Sequence, residues 1–136
     1  MQKAFFAVDP AKELSEQMHL SDASGKNLLK QGPFAADLIR FPPGGKVELH
    51  THPGNHMLFC IDGKGLVQYG DQFHELHPGV CYLIEGMVPH AVFADDSSQL
   101  TLIAIADEHY DVSSSSRLDM CDQASPISDE SIQQDV

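Results

Sequence analysis

Basic residues are scarce in this chain: eight Lys and Arg stand against 20 Asp and Glu in 136 residues, a formal charge of −12. No cluster of Lys and Arg occurs along it, so the electrostatic footprint of a nucleic-acid binder is missing. Nor does any apolar run approach the roughly 20 residues of a membrane helix, and the N-terminus lacks a basic region followed by an apolar stretch and a small-residue cleavage site. The expectation is a cytoplasmic protein with neither nucleic acid nor membrane as a partner. Cysteine is scarce as well. Cys60, Cys81 and Cys121 are odd in number and contain no C-x-x-C pair, which argues against a disulfide framework and fits a reducing compartment. Cys60 and Cys81 lie in apolar runs and read as buried small hydrophobes.

What is present is an ordinary globular composition, 42% hydrophobic and 21% charged, in a length that accommodates one domain. From residue 34 onward, short apolar or alternating runs occupy 34–41, 47–50, 56–61, 65–69, 72–76, 80–84, 90–93 and 100–106. Pro and Gly turns such as Pro42-Pro43-Gly44-Gly45, Pro53-Gly54-Asn55 and Pro78-Gly79 separate them. Short strands at this spacing predict an all-β sandwich or small barrel over 34–106. Residues 1–33 form an N-terminal segment. In it Ala4 to Val8 reads as a strand able to pair with a second copy, and Pro10 to Met18 as a short helix. Residues 107–136 carry eight acids, the single base Arg117 and a Ser113 to Ser116 run, and read as an acidic, flexible tail.

The chemistry gathers on histidine. Six of the eight fall between positions 50 and 90, three of them as His50-x-His52-x-x-x-His56. Residues two apart on a strand share a face, so His50 and His52 present both imidazoles to one side. The Pro53-Gly54-Asn55 turn then returns His56 beside the same pocket. A convergent set of imidazoles is a transition-metal site; the alternative is a hairpin of exposed histidines without an ion. Strand parity adds Glu48, Leu58, Cys60 and Val92 as pocket walls, with Tyr82, Arg40 and Met87 as polar or entrance groups. No second carboxylate or nucleophile stands out as a general base. His74 and His77 read as exposed.

Gly44, five residues, His50-Thr51-His52, three residues, His56, six residues and Gly63 resemble the first sequence motif of the cupin family. Gly79, a run from Val80 to Ile84, and Pro89-His90 resemble its second. This chain departs from the family pattern at His56, where Glu is usual, at Glu85 for Pro, at Met87 for Gly and at Ala94 for Asn. The resemblance implies a cupin-type antiparallel β-barrel, or jelly roll, with His90 completing a metal site of His50, His52, His56 and His90. Four neutral imidazoles leave the ion its full charge and a more electrophilic character. The implied cofactor is one divalent transition-metal ion, Mn, Fe, Ni, Zn or Cu.

Two positions left open in an octahedral site would admit dioxygen or a small-molecule substrate, which makes a metal-dependent oxygenase the leading expectation. A metal-dependent isomerase or lyase and a non-catalytic small-molecule binder or sensor are the alternatives. The resemblance also implies a homodimer. Because imidazole must be deprotonated to bind, metal loss is expected as the pH falls below the reference His pKa of about 6.5.

Overall fold

A computed structural model of the chain describes residues 16–121. They form eleven strands: β1 (Glu16–Gln17), β2 (Ser24–Gln31), β3 (Phe34–Phe41), β4 (Lys46–Thr51), β5 (His56–Gly63), β6 (Gly65–Tyr69), β7 (Gln72–Leu76), β8 (Cys81–Ile84), β9 (His90–Ala94), β10 (Leu100–Ala106) and β11 (Asp119–Met120). All pairings are antiparallel. One sheet runs β1-β2-β3-β10-β5-β8 and the other β11-β4-β9-β6-β7. Each of the eight runs read from residue 34 onward is a strand. The all-β class is therefore observed.

The closed β-barrel or jelly roll is not. The sheets stay separate, ending at β1 and β8 in one and at β11 and β7 in the other. The division is visible at residues 77–79. Consecutive strands β7 and β8 enter different sheets, because Pro78 has no N–H to extend a ladder and Gly79 turns at φ 99°. Gly79 N then donates to Cys60 O at 2.9 Å, and Cys60 N to Val80 O at 2.8 Å, which hands the chain to β5. A strand buries alternate residues whether or not its sheet closes, so a period of two does not distinguish the two architectures.

Alternating residues meet between the sheets. Phe41, Val67, Leu76, Ile84, Leu100 and Leu102 are buried there, together with Val47, Leu58, Cys60 and Val92. Burial of each large side chain stabilises by about 1.5–3 kcal/mol, which holds the faces together without closure. Gly63, the last glycine of the first motif, turns at φ 86°, and a Cβ there would lie 1.7 Å from the Gln99 carbonyl oxygen. Only glycine lets β5 pass the start of β10.

The ends of the chain depart from the sequence expectation. The strand over Ala4 to Val8 and most of the helix over Pro10 to Met18 lie outside the described residues. The final part of that helix is instead β1, with Glu16 and Gln17 paired to Gly25 and Ser24. β2, with sequence SGKNLLKQ, has no clear period and forms because the long β3 offers it a ladder. In the acidic segment, Val112, Arg117 and Leu118 are buried, and β11 pairs with the edge of β4. Up to residue 121 the segment is anchored to the sheets at these points, while Asp107, Glu108, Asp111 and Asp119 are exposed.

Candidate metal centre

β4 and β9 lie side by side and bring His50 opposite His90. Their ladder shifts register between Val47 and His50: three steps along β4 match two along β9, from Val92 to His90. The extra residue is a β-bulge, which reverses the face on which everything before it lies. Val47 therefore lines the cavity with His50, whereas Glu48 turns outward and pairs with Lys46 at 3.3 Å. This corrects the wall inferred from unbroken parity.

The loop after β4 is clamped from two sides. Asn55 N and Nδ2 donate to the Asp107 carboxylate at 2.7 and 2.9 Å, and Asn55 Oδ1 accepts from Gly86 N at 2.9 Å. Met87 N donates to His52 O at 2.9 Å. Met87 holds φ 67°, in the left-handed region that suits the glycine usual in the motif. The backbone shape survives the substitution at a steric cost of about 1–2 kcal/mol.

Ligand atoms of His50, His52 and His90 all lie within 4.8 Å of one another. His50 Nδ1 is 2.8 Å from Glu48 O, and His90 Nδ1 is 2.9 Å from Val88 O. A carbonyl only accepts, so both Nδ1 atoms carry the proton and both Nε2 atoms present a lone pair. Backbone carbonyls commonly orient metal-ligating histidines in this way. His52 Nε2 lies 3.0 Å from His90 Nε2, and His52 Nδ1 is buried without a partner. Metal–nitrogen bonds of about 2.0–2.1 Å at right angles place two nitrogens about 3 Å apart. The donor set fits a transition-metal ion.

His56 does not join this group. Its ring stacks on His52, with centroids 3.9 Å apart and planes 18° apart, so three of the four expected ligands converge. It nevertheless lines the same cavity. The other walls are mostly apolar, including Phe41, Val47, Leu58, Val92 and Leu102. About 40 Å³ is open to the centres of water-sized molecules, space for about three waters.

Burial governs protonation. Desolvation, followed by the charges of His52 and Arg117, holds His50 down at about 4 against the opposing Glu48 carbonyl. Desolvation and neighbouring imidazoles lower His56 and His90 to about 2, with Arg117 also bearing on His56. His52 is lowered by the same burial. The imidazoles are neutral donors at neutral pH.

Of the remaining sequence candidates, Leu58 and Val92 line the cavity. Cys60 is buried in the core, while Cys81 is exposed opposite Phe59, contrary to its reading as a buried hydrophobe. Arg40 Nε donates to Thr101 Oγ1 at 3.2 Å. Tyr82 lies by a separate cavity, with its buried hydroxyl unpartnered. Met87, His74 and His77 are exposed. Met18, Arg117 and Leu118 line the cavity although no motif identified them. The only advance signal for Arg117 is that it is the lone cation in an acidic segment.

Fold and site together define a two-sheet β domain with a histidine metal-binding cluster between its faces. The chain belongs to the cupin domain family, whose model matches residues 37–106. No curated protein matches it significantly in sequence. Among solved structures it is similar to a cupin-2 domain protein from Rhodospirillum rubrum, at 18% identity and TM-score 0.66, covering 83% of this chain and 73% of that one. It is also similar to the polyketide cyclase RemF from Streptomyces resistomycificus, at 15% identity and TM-score 0.62, covering 69% and 73%. A salicylate 1,2-dioxygenase from Pseudaminobacter salicylatoxidans shares the fold at 15% identity and TM-score 0.58, covering 63% of this chain and 26% of that one.

Proposed function

We propose that the protein is a metal-dependent enzyme acting on a small molecule, with oxygenase as its reaction class and one divalent transition-metal ion held by His50, His52 and His90, with His56 as a fourth ligand. The observation that carries this reading is the convergence of three buried imidazoles in a cavity whose other walls are mostly apolar. When bound, the ion supplies a Lewis-acidic centre with positions left for ligands. His50 and His90 keep their Nε2 lone pairs aimed inward through the bonds to Glu48 O and Val88 O. Val47, Leu58, Val92 and Leu102 exclude bulk water and favour a small, partly apolar substrate.

His56 is the fourth ligand in this proposal. Its position on the same cavity wall, stacked on His52, supports that role. The test begins with the metal content of untagged protein, comparing wild type with His52→Ala and His56→Ala. Near-stoichiometric metal that both substitutions deplete supports the four-ligand site; depletion by His52→Ala alone reduces it to three. Oxygen uptake is then measured with small phenols, diketones and thiols. Background uptake across that panel with metal bound overturns the oxygenase assignment.

A second reading is favoured by one specific feature: no Asp or Glu among the described residues lines the cavity to act as a general base. A binding or sensing domain would return its ligand chemically unchanged after long incubation, whereas any product excludes it.

A homodimer is also proposed. Met57, Phe59, Leu83 and Ile105 are exposed, and Met57 pairs with both Leu83 and Ile105, forming an apolar stripe on the outer face of the six-stranded sheet. A monomeric mass by light scattering at micromolar concentration would refute it. The three unpaired cysteines support a cytoplasmic setting. No helix among the described residues is long and apolar enough to cross a membrane.

A further inference from the structure

Behind the histidines lies a second buried polar group. Asp37, on β3, is 1% exposed. Its Oδ1 accepts from Asn27 Nδ2 at 3.0 Å, its Oδ2 accepts from Arg117 Nη1 at 2.9 Å, and His109 Nε2 lies 3.1 and 2.9 Å from the two oxygens. Arg117 Nη1 also donates to Tyr110 O at 2.8 Å. One nitrogen thus makes both of the contacts that fix the arginine in place. Nε and Nη2 have no hydrogen-bond partner among the described residues, although the residue is only 6% exposed.

Arg117 lines the same cavity as His50, His52 and His56. Its charge also bears on those three imidazoles. Asp37 answers that charge through Nη1 alone, and no Asp or Glu among the described residues lines this cavity. A planar guanidinium with Nε and Nη2 left over takes a carboxylate through two parallel N–H···O bonds.

We propose that Arg117 is the anchoring residue for an anionic ligand, and that this cavity takes a small carboxylate with a short apolar body, held by Nε and Nη2 beside the histidine cluster. The apolar walls accept the body, and the limited space restricts it to a few heavy atoms. The proposal rests on the reading of this cavity as the ligand site, but the anchor itself requires no metal. Its failure is therefore separable from failure of the metal assignment.

The experiment uses the full-length, metal-free protein at neutral pH, titrated with butanoate and with butanamide of the same shape. Arginine Nε–H resonances are followed by NMR, with the Arg117 signal assigned from its loss in Arg117→Lys. Butanoate is expected to bind at least about 10-fold more tightly than butanamide and to shift the Arg117 signal. Arg117→Lys, which keeps the charge but not the fork, is expected to weaken butanoate binding about 10-fold. Arg117→Gln alone leaves Asp37 uncompensated and risks unfolding, so Asp37→Asn/Arg117→Gln is the second variant, and it is expected to bind acid and amide alike. Equal affinity of wild type for both probes, or butanoate binding that leaves the Arg117 resonance unmoved, would overturn the proposal and leave Arg117 as a staple for the C-terminal segment.

Discussion

Two buried polar clusters adjoin in this molecule, and they are built on opposite principles. In the first, Asp37 receives Asn27, His109 and Arg117, so both carboxylate oxygens are matched by donors. In the second, His50 and His90 are held from behind by backbone carbonyls, His52 Nδ1 has no partner, and the nitrogens on the inner sides of the three face one another. A matched cluster stabilises the arrangement that contains it. An unmatched cluster, held open by packing, is a site for something else. Arg117, which pairs with Asp37 and lines the histidine cavity, connects the two.

The sharpest way to break the comparison is to remove one member from each cluster. Asp37→Ala should cost about 3–5 kcal/mol in denaturant unfolding, because it strands a buried guanidinium. His52→Ala should lower metal affinity by more than about 100-fold, beyond the usual effect of losing an orienting partner. It should also abolish any gain in stability from added metal. In wild type, free metal at 100 times its Kd should raise stability by about 2.7 kcal/mol. An equal loss of metal binding in correctly folded Asp37→Ala would erase the distinction between the clusters.

A smaller effect comes from pH. The folded-state pKa values of the cluster histidines lie below the unfolded reference, with His50 at about 4. Their neutral burial therefore contributes fully above about pH 6.5 and is lost progressively as the pH falls toward that folded value. Metal-free protein followed by denaturant unfolding should weaken across that window. Metal should be held to about pH 5, lower than the reference value alone implies, and released near pH 4 as His50 protonates. Full metal at pH 4 would contradict this. The smallest effect belongs to Met87→Gly, which relieves the positive φ and should stabilise by a few tenths to about 1 kcal/mol in thermal unfolding.

Much of the site was legible before the structure. His50-x-His52 and Pro89-His90 mark the three converging ligands, and the turn residues delimit β3 through β10 closely. The exchange of Val47 for Glu48 at the wall was not legible, because a bulge is a mismatch between two strands and neither carries it alone. Nor was Arg117, which meets Asp37 across 80 residues of chain and lies in a segment whose composition reads as tail.

By itself, the sequence determined the β-strands, their turns and the clustering of histidine, since alternation, Pro and Gly act within a few residues. Tertiary structure alone decided that the sheets remain open, that His56 stacks on His52 rather than converging, and that a lone arginine returns to the cavity. Those outcomes depend on which distant strands pair and which buried charges find partners, and local periodicity encodes neither.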